Sequence, residues 1–187
     1  MGRLIADLLQ GDLDLVLVHK IGAPGNPEFA VGAVSEDGAF EINPMLSHLG
    51  YDPEALKTVL TRESDLLRQK RKLYAVGAAQ PSSAEGRSVI IVDDGIATGH
   101  TMLLAVKIVK TQKPTSIFVA TPVAAQEAVE KLREEVERLV VLLVPPVFVS
   151  VGQFYQDFNP VSDQEVVDAL SVPRKKEKIW HEVQKDP

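Results

Sequence analysis

The chain has 187 residues, 45% of them hydrophobic, a formal net charge of −6 and no cysteine. That supplies one substantial core, so residues 1–187 are read as a single domain, and composition rules out disulfides and thiolate metal sites. The acidic balance argues against a nucleic-acid surface, the apolar runs are too short to cross a bilayer, and no signal-peptide pattern opens the chain, so a soluble cytoplasmic protein without nucleic-acid or membrane partners is the expectation.

Residues 3–10 carry Leu4, Ile5, Leu8 and Leu9 at helical spacing, with Gly11-Asp12 as the stop. Residues 13–18 alternate into a strand that closes on His19-Lys20. A helix feeding a strand is the second half of a βαβ unit, whose first strand would lie before Met1. Gly22, Pro24, Gly25 and Pro27 crowd a short segment and predict a loop of special backbone geometry. Lys20, at the base of that loop and the carboxyl end of the strand, is placed to reach a phosphate or pyrophosphate oxygen; a solvated strand end is the alternative. Residues 30–34 and 39–42, separated by Ser35-Glu36-Asp37-Gly38, form a β-hairpin pattern.

Residues 44–51 read as irregular. Asp52-Pro53-Glu54 then starts a helix with a cap, a first-turn proline and a first-turn acid. It runs to about Tyr74, with Leu56, Val59, Leu60, Leu66, Leu67 and Leu73 inward, and its basic run Arg68-Gln69-Lys70-Arg71-Lys72 is a solvated face. Residues 77–87 are a surface loop.

Val89-Ile90-Ile91-Val92 follows, four β-branched residues that read as a buried parallel strand. Asp93-Asp94-Gly95-Ile96-Ala97-Thr98-Gly99-His100-Thr101 opens from its carboxyl end, and residues 102–109 continue as a mostly apolar helix. Ligands of open α/β sheets bind at this place. Residues 97–101 offer small side chains, two threonine hydroxyls and a helix N-terminus, which together suit an anion. Asp93 and Asp94 would repel a phosphate but can accept hydrogen bonds from a ribose diol. The inferred ligand is a ribose 5-phosphate.

This segment resembles the phosphoribosyl pyrophosphate (PRPP) signature of the type I phosphoribosyltransferases: apolar strand, two acids, two mostly apolar residues, a small residue, Thr, Gly, any residue, Thr. One position departs, since Gly95 stands where a bulkier aliphatic residue is usual. Residues 17–34 resemble one bacterial branch of phosphoribosyltransferase-like proteins, whose members typically begin with a further strand and a pyrophosphate-holding loop. The resemblance implies an α/β fold with a doubly wound, mostly parallel sheet, flanking helices and a small β-hairpin. It implies transfer of the phosphoribosyl group from PRPP to a nitrogenous base or other amine, with Mg²⁺ held through PRPP oxygens. Asp93 and Asp94 are the catalytic candidates, residues 93–101 the PRPP site and Lys20 the pyrophosphate contact. A non-catalytic PRPP- or nucleotide-binding regulator and an inactive form lacking the upstream strand are the alternatives.

Beyond the helix, Lys113-Pro114 is a stop, residues 116–121 a buried strand, 124–138 a helix and 139–144 the last parallel strand. Residues 145–158 resemble the purine phosphoribosyltransferase loop in which an aromatic residue covers the base. Phe148 is the candidate stacking ring and Asp157 a polar contact, whereas Phe154 and Phe158 read as core-closing. Residues 161–170 and 175–183 are surface helices. Exposed strand edges in a short chain leave room for a homodimer.

Overall fold

The computed structural model describes residues 1–23, 26–42, 53–75 and 83–172. Helix α1 (Gly2–Leu9) ends where Gln10 turns left-handed and the Gly11 amide reaches back to the Ala6 carbonyl at 2.8 Å. Strands β1 (Val18–Ala23), β2 (Asn26–Ser35) and β3 (Phe40–Ile42) form an antiparallel sheet in that order. Helix α2 (Pro53–Tyr74) follows. Next come β4 (Ser88–Val92), α3 (His100–Thr111), β5 (Ser116–Val123), α4 (Gln126–Arg133) and β6 (Arg138–Leu143), and the three strands make a parallel sheet in chain order. A short 3₁₀ turn (Val151–Phe154) and α5 (Asp163–Ser171) complete the described chain.

The expected α/β architecture, a parallel sheet with helices and a separate hairpin, is present, with differences in three places. Residues 13–17 form no strand, and the ladder begins at Val18 and pairs antiparallel with β2. Backbone groups in this stretch find other partners: the Leu15 carbonyl accepts from the Arg71 guanidinium at 2.7 Å. The Gly- and Pro-rich segment is not a free loop throughout. The ladder continues through Gly22 to Ala23 opposite Asn26, and the irregularity appears as two register shifts after Ile21. Finally, Leu66 and Leu73 are exposed rather than inward. The inward stripe of α2 runs through Ser64, Leu67 and Tyr74, and each exposed leucine lies one residue, about 100° of helix, off it. The expected cap at Asp52, the irregular stretch 44–51 and the helix at 175–183 lie outside the described residues.

Helix α3 sits between the two sheets. Met102, Val106 and Val109 join Ile117 and Val119 of β5 and Ala128, Val129 and Leu132 of α4 in one core. The same helix packs against all three antiparallel strands, and its Lys107 is paired with Glu41 of β3. A second core joins Ile21 and Val34 to Leu67, with Leu56, Val59 and Leu60 of α2 beside it. Because α3 and α4 cover the same face of the parallel sheet, alternate residues on the other face stay open: Ile90 is 39% exposed, Val140 44% and Leu142 80%. The β4 strand is thus covered on one face only, where its β-branched run reads as buried on both.

Arg71 ties α2 to the β2–β3 turn and to the stretch that follows α1. Its guanidinium forks onto Glu36 in the β2–β3 turn, at 2.6 and 3.0 Å, while also holding the Leu15 carbonyl and pairing with Asp14. Replacing it by methionine keeps most of the packing volume but leaves Glu36 and that carbonyl unpaired. The Arg71→Met chain should lose about 1–3 kcal/mol in urea unfolding, with an unchanged m-value.

Candidate active site

The site is built where β4 gives way to α3. The Asp93 amide still donates to the Ala120 carbonyl of β5 at 3.3 Å, so the first aspartate is fixed by the sheet. Its carboxylate accepts from the Asp94 amide at 3.0 Å. Burial, and then repulsion from Asp94, push the Asp93 carboxyl up to about 6, despite that hydrogen bond. Asp94 is shifted the same way, chiefly by partial burial. Two adjacent carboxylates, the first of them poorly solvated, are a place prepared for positive charge.

Ile96 anchors the loop from below. It is buried, its amide donates to Val123 at 3.0 Å, and its carbonyl accepts from Ala125 at 2.9 Å. This bridge leaves Ala97 and Thr98 exposed at the crest. Gly99 then takes φ +81°, which a side chain rarely tolerates, and caps α3 without a side-chain hydrogen bond. No acidic residue occupies the first turn of α3, in contrast to α4 and α5. The amides at this end are therefore not capped by a side chain, and the helix dipole adds to their attraction for an anion. His100 is buried at the first helical position, and its Nδ1 has no hydrogen-bond partner among the described residues. Burial, then the Lys131 charge, hold its ring below the ordinary histidine value, which favours the neutral form.

The segment after β6 closes over this loop. An ideal Cβ on Gly95 would lie 2.4 Å from Val151 Cγ1, so only glycine allows the 3₁₀ turn to sit where it does. That is the physical reason for the departure from the usual aliphatic residue. Beside it, the Tyr155 hydroxyl donates to the Asp94 carbonyl at 2.6 Å. Burial, and then the two aspartates, raise the Tyr155 hydroxyl above its ordinary value. Neither Val151 nor Tyr155 stands out in the sequence as a site residue; the unusual glycine was the available signal.

The other sequence candidates are placed less directly. Phe148 packs against Phe154, ring centroids 5.3 Å apart, and both are half-buried. Phe158 is not core-closing: it is 47% exposed and lies against Tyr155 at 5.1 Å. Asp157 is exposed and accepts from Asn159 at 2.5 Å. Lys20 is exposed within β1 opposite Ala33, a mid-strand position in the antiparallel sheet rather than the end of a parallel strand. Among the described residues no cluster of three or more His, Cys, Asp or Glu could hold a metal unaided, and none of the described helices is long and apolar enough to cross a membrane.

The model of the phosphoribosyl transferase domain matches residues 6–159. The chain belongs to that family. Two proteins named "Putative phosphoribosyl transferase", from two strains of Mycobacterium tuberculosis, are each 33% identical to it over 169 residues. The alignment covers 89% of this chain but 38% of those relatives, so the chain spans well under half their length. The crystal structure of TT1426 from Thermus thermophilus superimposes with a TM-score of 0.72 at 41% identity, covering 90% of this chain and 80% of that one.

Two outcomes follow from this geometry. A Gly95→Val substitution forces the 3₁₀ turn away and should cost roughly 1–3 kcal/mol, read as a lower thermal midpoint together with quenched or shifted Tyr155 fluorescence. The second concerns pH. Because the folded-state value of Asp93 lies above that of an unfolded aspartate, its contribution to stability is full below about pH 4 and is lost as pH rises through about 6. Asp93→Asn should therefore gain stability relative to the parent between about pH 4.5 and about pH 7.5 in ligand-free thermal scans. An equal difference at both pH values would contradict the assignment.

Proposed function

We propose that this chain transfers the 5-phosphoribosyl group of PRPP to a nitrogenous base or another amine and releases pyrophosphate. The observation that carries the reading is the juxtaposition at the end of β4: an uncapped helix N-terminus with Gly99 in the left-handed region, beside two carboxylates of which the first is poorly solvated. The loop from Ala97 to Thr101 takes the 5-phosphate, through backbone amides and the hydroxyls of Thr98 and Thr101. Asp93 and Asp94 accept from the 2- and 3-hydroxyls of the ribose.

In the reaction, the nitrogen lone pair forms the new bond to the anomeric carbon as the carbon–oxygen bond to pyrophosphate breaks. The electron pair of the broken bond leaves on pyrophosphate, and the proton of the nitrogen passes to solvent. Bond breaking runs ahead, so positive charge develops on the ring, where the adjacent carboxylates, Asp93 poorly solvated and Asp94 exposed beside it, favour it. Fixing the sugar at both ends supplies the rest, by orientation. Because no cluster of three or more His, Cys, Asp or Glu among the described residues could hold a metal, a Mg²⁺ would be held through PRPP oxygens. When bound it neutralises the leaving group. Lys20 is the proposed pyrophosphate contact, and Phe148 and Asp157 are the proposed acceptor contacts.

Calorimetric titration with PRPP and Mg²⁺, followed by a screen of bases and amines for pyrophosphate release, tests this. The parent chain should bind, and Asp94→Asn and Thr98→Ala should each weaken binding by roughly tenfold or more. Binding with no turnover on any acceptor would point to a PRPP-holding regulator instead. A folded parent chain that binds no PRPP would overturn the proposal.

A further inference from the structure

The phosphate loop is braced by α4. Gly99 lies close enough to Ala128 that an ideal Cβ would sit 3.5 Å from both its Cα and its Cβ. One turn further on, Lys131 Nζ donates to the Thr98 carbonyl at 3.3 Å and to Glu127 Oε1, four residues before it, at 2.6 Å. Glu127 thus aims the ammonium, and the ammonium holds the carbonyl. A trans peptide is planar, with its C=O and N–H on opposite sides. Drawing the Thr98 carbonyl toward Lys131 turns the Gly99 amide away from α4. It also keeps the negative end of that peptide from facing an incoming anion. The charge of Lys131 is felt within the loop, since after burial it is the largest cause of the low value of the neighbouring His100. Glu41 and Glu127 act on that ring in the opposite sense.

We propose that Lys131 is a positioning residue for the sugar phosphate: it fixes the Thr98–Gly99 peptide with its amide directed at the 5-phosphate and places a positive charge behind it. This rests on residues 97–101 being the 5-phosphate loop. The role differs from the 5-phosphate contacts of the loop itself, because Lys131 acts through a backbone carbonyl.

Titrating the full chain with PRPP–Mg²⁺, ribose 5-phosphate and ribose separates the two ideas. Lys131→Met should weaken both phosphorylated ligands by roughly threefold to tenfold, the effect of losing one partly solvated charge-assisted hydrogen bond. Lys131→Arg should recover most of that loss, the thermal midpoint should move by no more than about 2 °C, and Lys110→Met, at the far end of α3, should bind like the parent. If Lys131→Met does not fold, Lys131→Gln stands in for it with the same thresholds. Affinity for both phosphorylated ligands within about twofold of the parent would overturn the brace while leaving the loop assignment intact. So would a lower midpoint with unchanged affinity. A parent chain that binds neither PRPP nor ribose 5-phosphate would remove the loop assignment, and the brace with it.

Discussion

Helix α3 is the constraint on which the rest depends. It is packed on one side by β5 and α4 and on the other by the antiparallel strands, so its apolar residues are needed on more than one face. A helix held that way cannot rotate or slide without opening two interfaces. Its N-terminus is therefore a fixed point, and a fixed point is what an anion-binding loop requires. The loop inherits its precision from the helix behind it, from Ile96 beneath it and from Ala128 beside it. None of these contacts needs a ligand to form.

The acidic pair shows the opposite tendency. Packing places Asp93 where water solvates it poorly and sets Asp94 beside it, an arrangement that the folded chain tolerates rather than prefers. A cationic or hydroxyl-rich ligand relieves that tension. The site is in this sense unfinished, with rigid donors at one end and under-satisfied acceptors at the other. Tyr155 and Val151 bring the segment after β6 directly onto the acidic end, so that segment and the loop share one piece of backbone at Asp94 and Gly95.

What was legible in the sequence was what lies close together along it. The strand, the acidic pair, the Ala97–Thr101 loop and the following helix are one continuous stretch, and their chemistry is local. The alternation of strand and helix beyond it was equally readable from period and length. What escaped were facts about neighbours distant in sequence. Residues 13–17 have the composition of a strand, yet a strand needs a ladder, and here Arg71 takes up the Leu15 carbonyl instead. Leu66 and Leu73 looked inward by type, and only the position of the stripe on α2 shows otherwise. Lys131 and Tyr155 reach the loop across 33 and 61 residues respectively, which no local pattern encodes. Gly95 was visible as an anomaly, but its reason belongs to Val151.

The order of the parallel strands has a kinetic meaning. Since β4, β5 and β6 are neighbours in both space and sequence, every crossover closes over a single helix, a longer stretch of chain than the turns that join the antiparallel strands. Loop-closure entropy therefore favours the antiparallel turns first, and the parallel pairing follows more slowly. The Ala97–Thr101 loop, its buried anchor Ile96 and Lys131 all fall within the Ser88–Leu143 span, so they come together as one contiguous stretch of chain when that sheet forms. The part of the molecule that would recognise a ligand is thus the part that topology makes slower to build, and it is built as one piece.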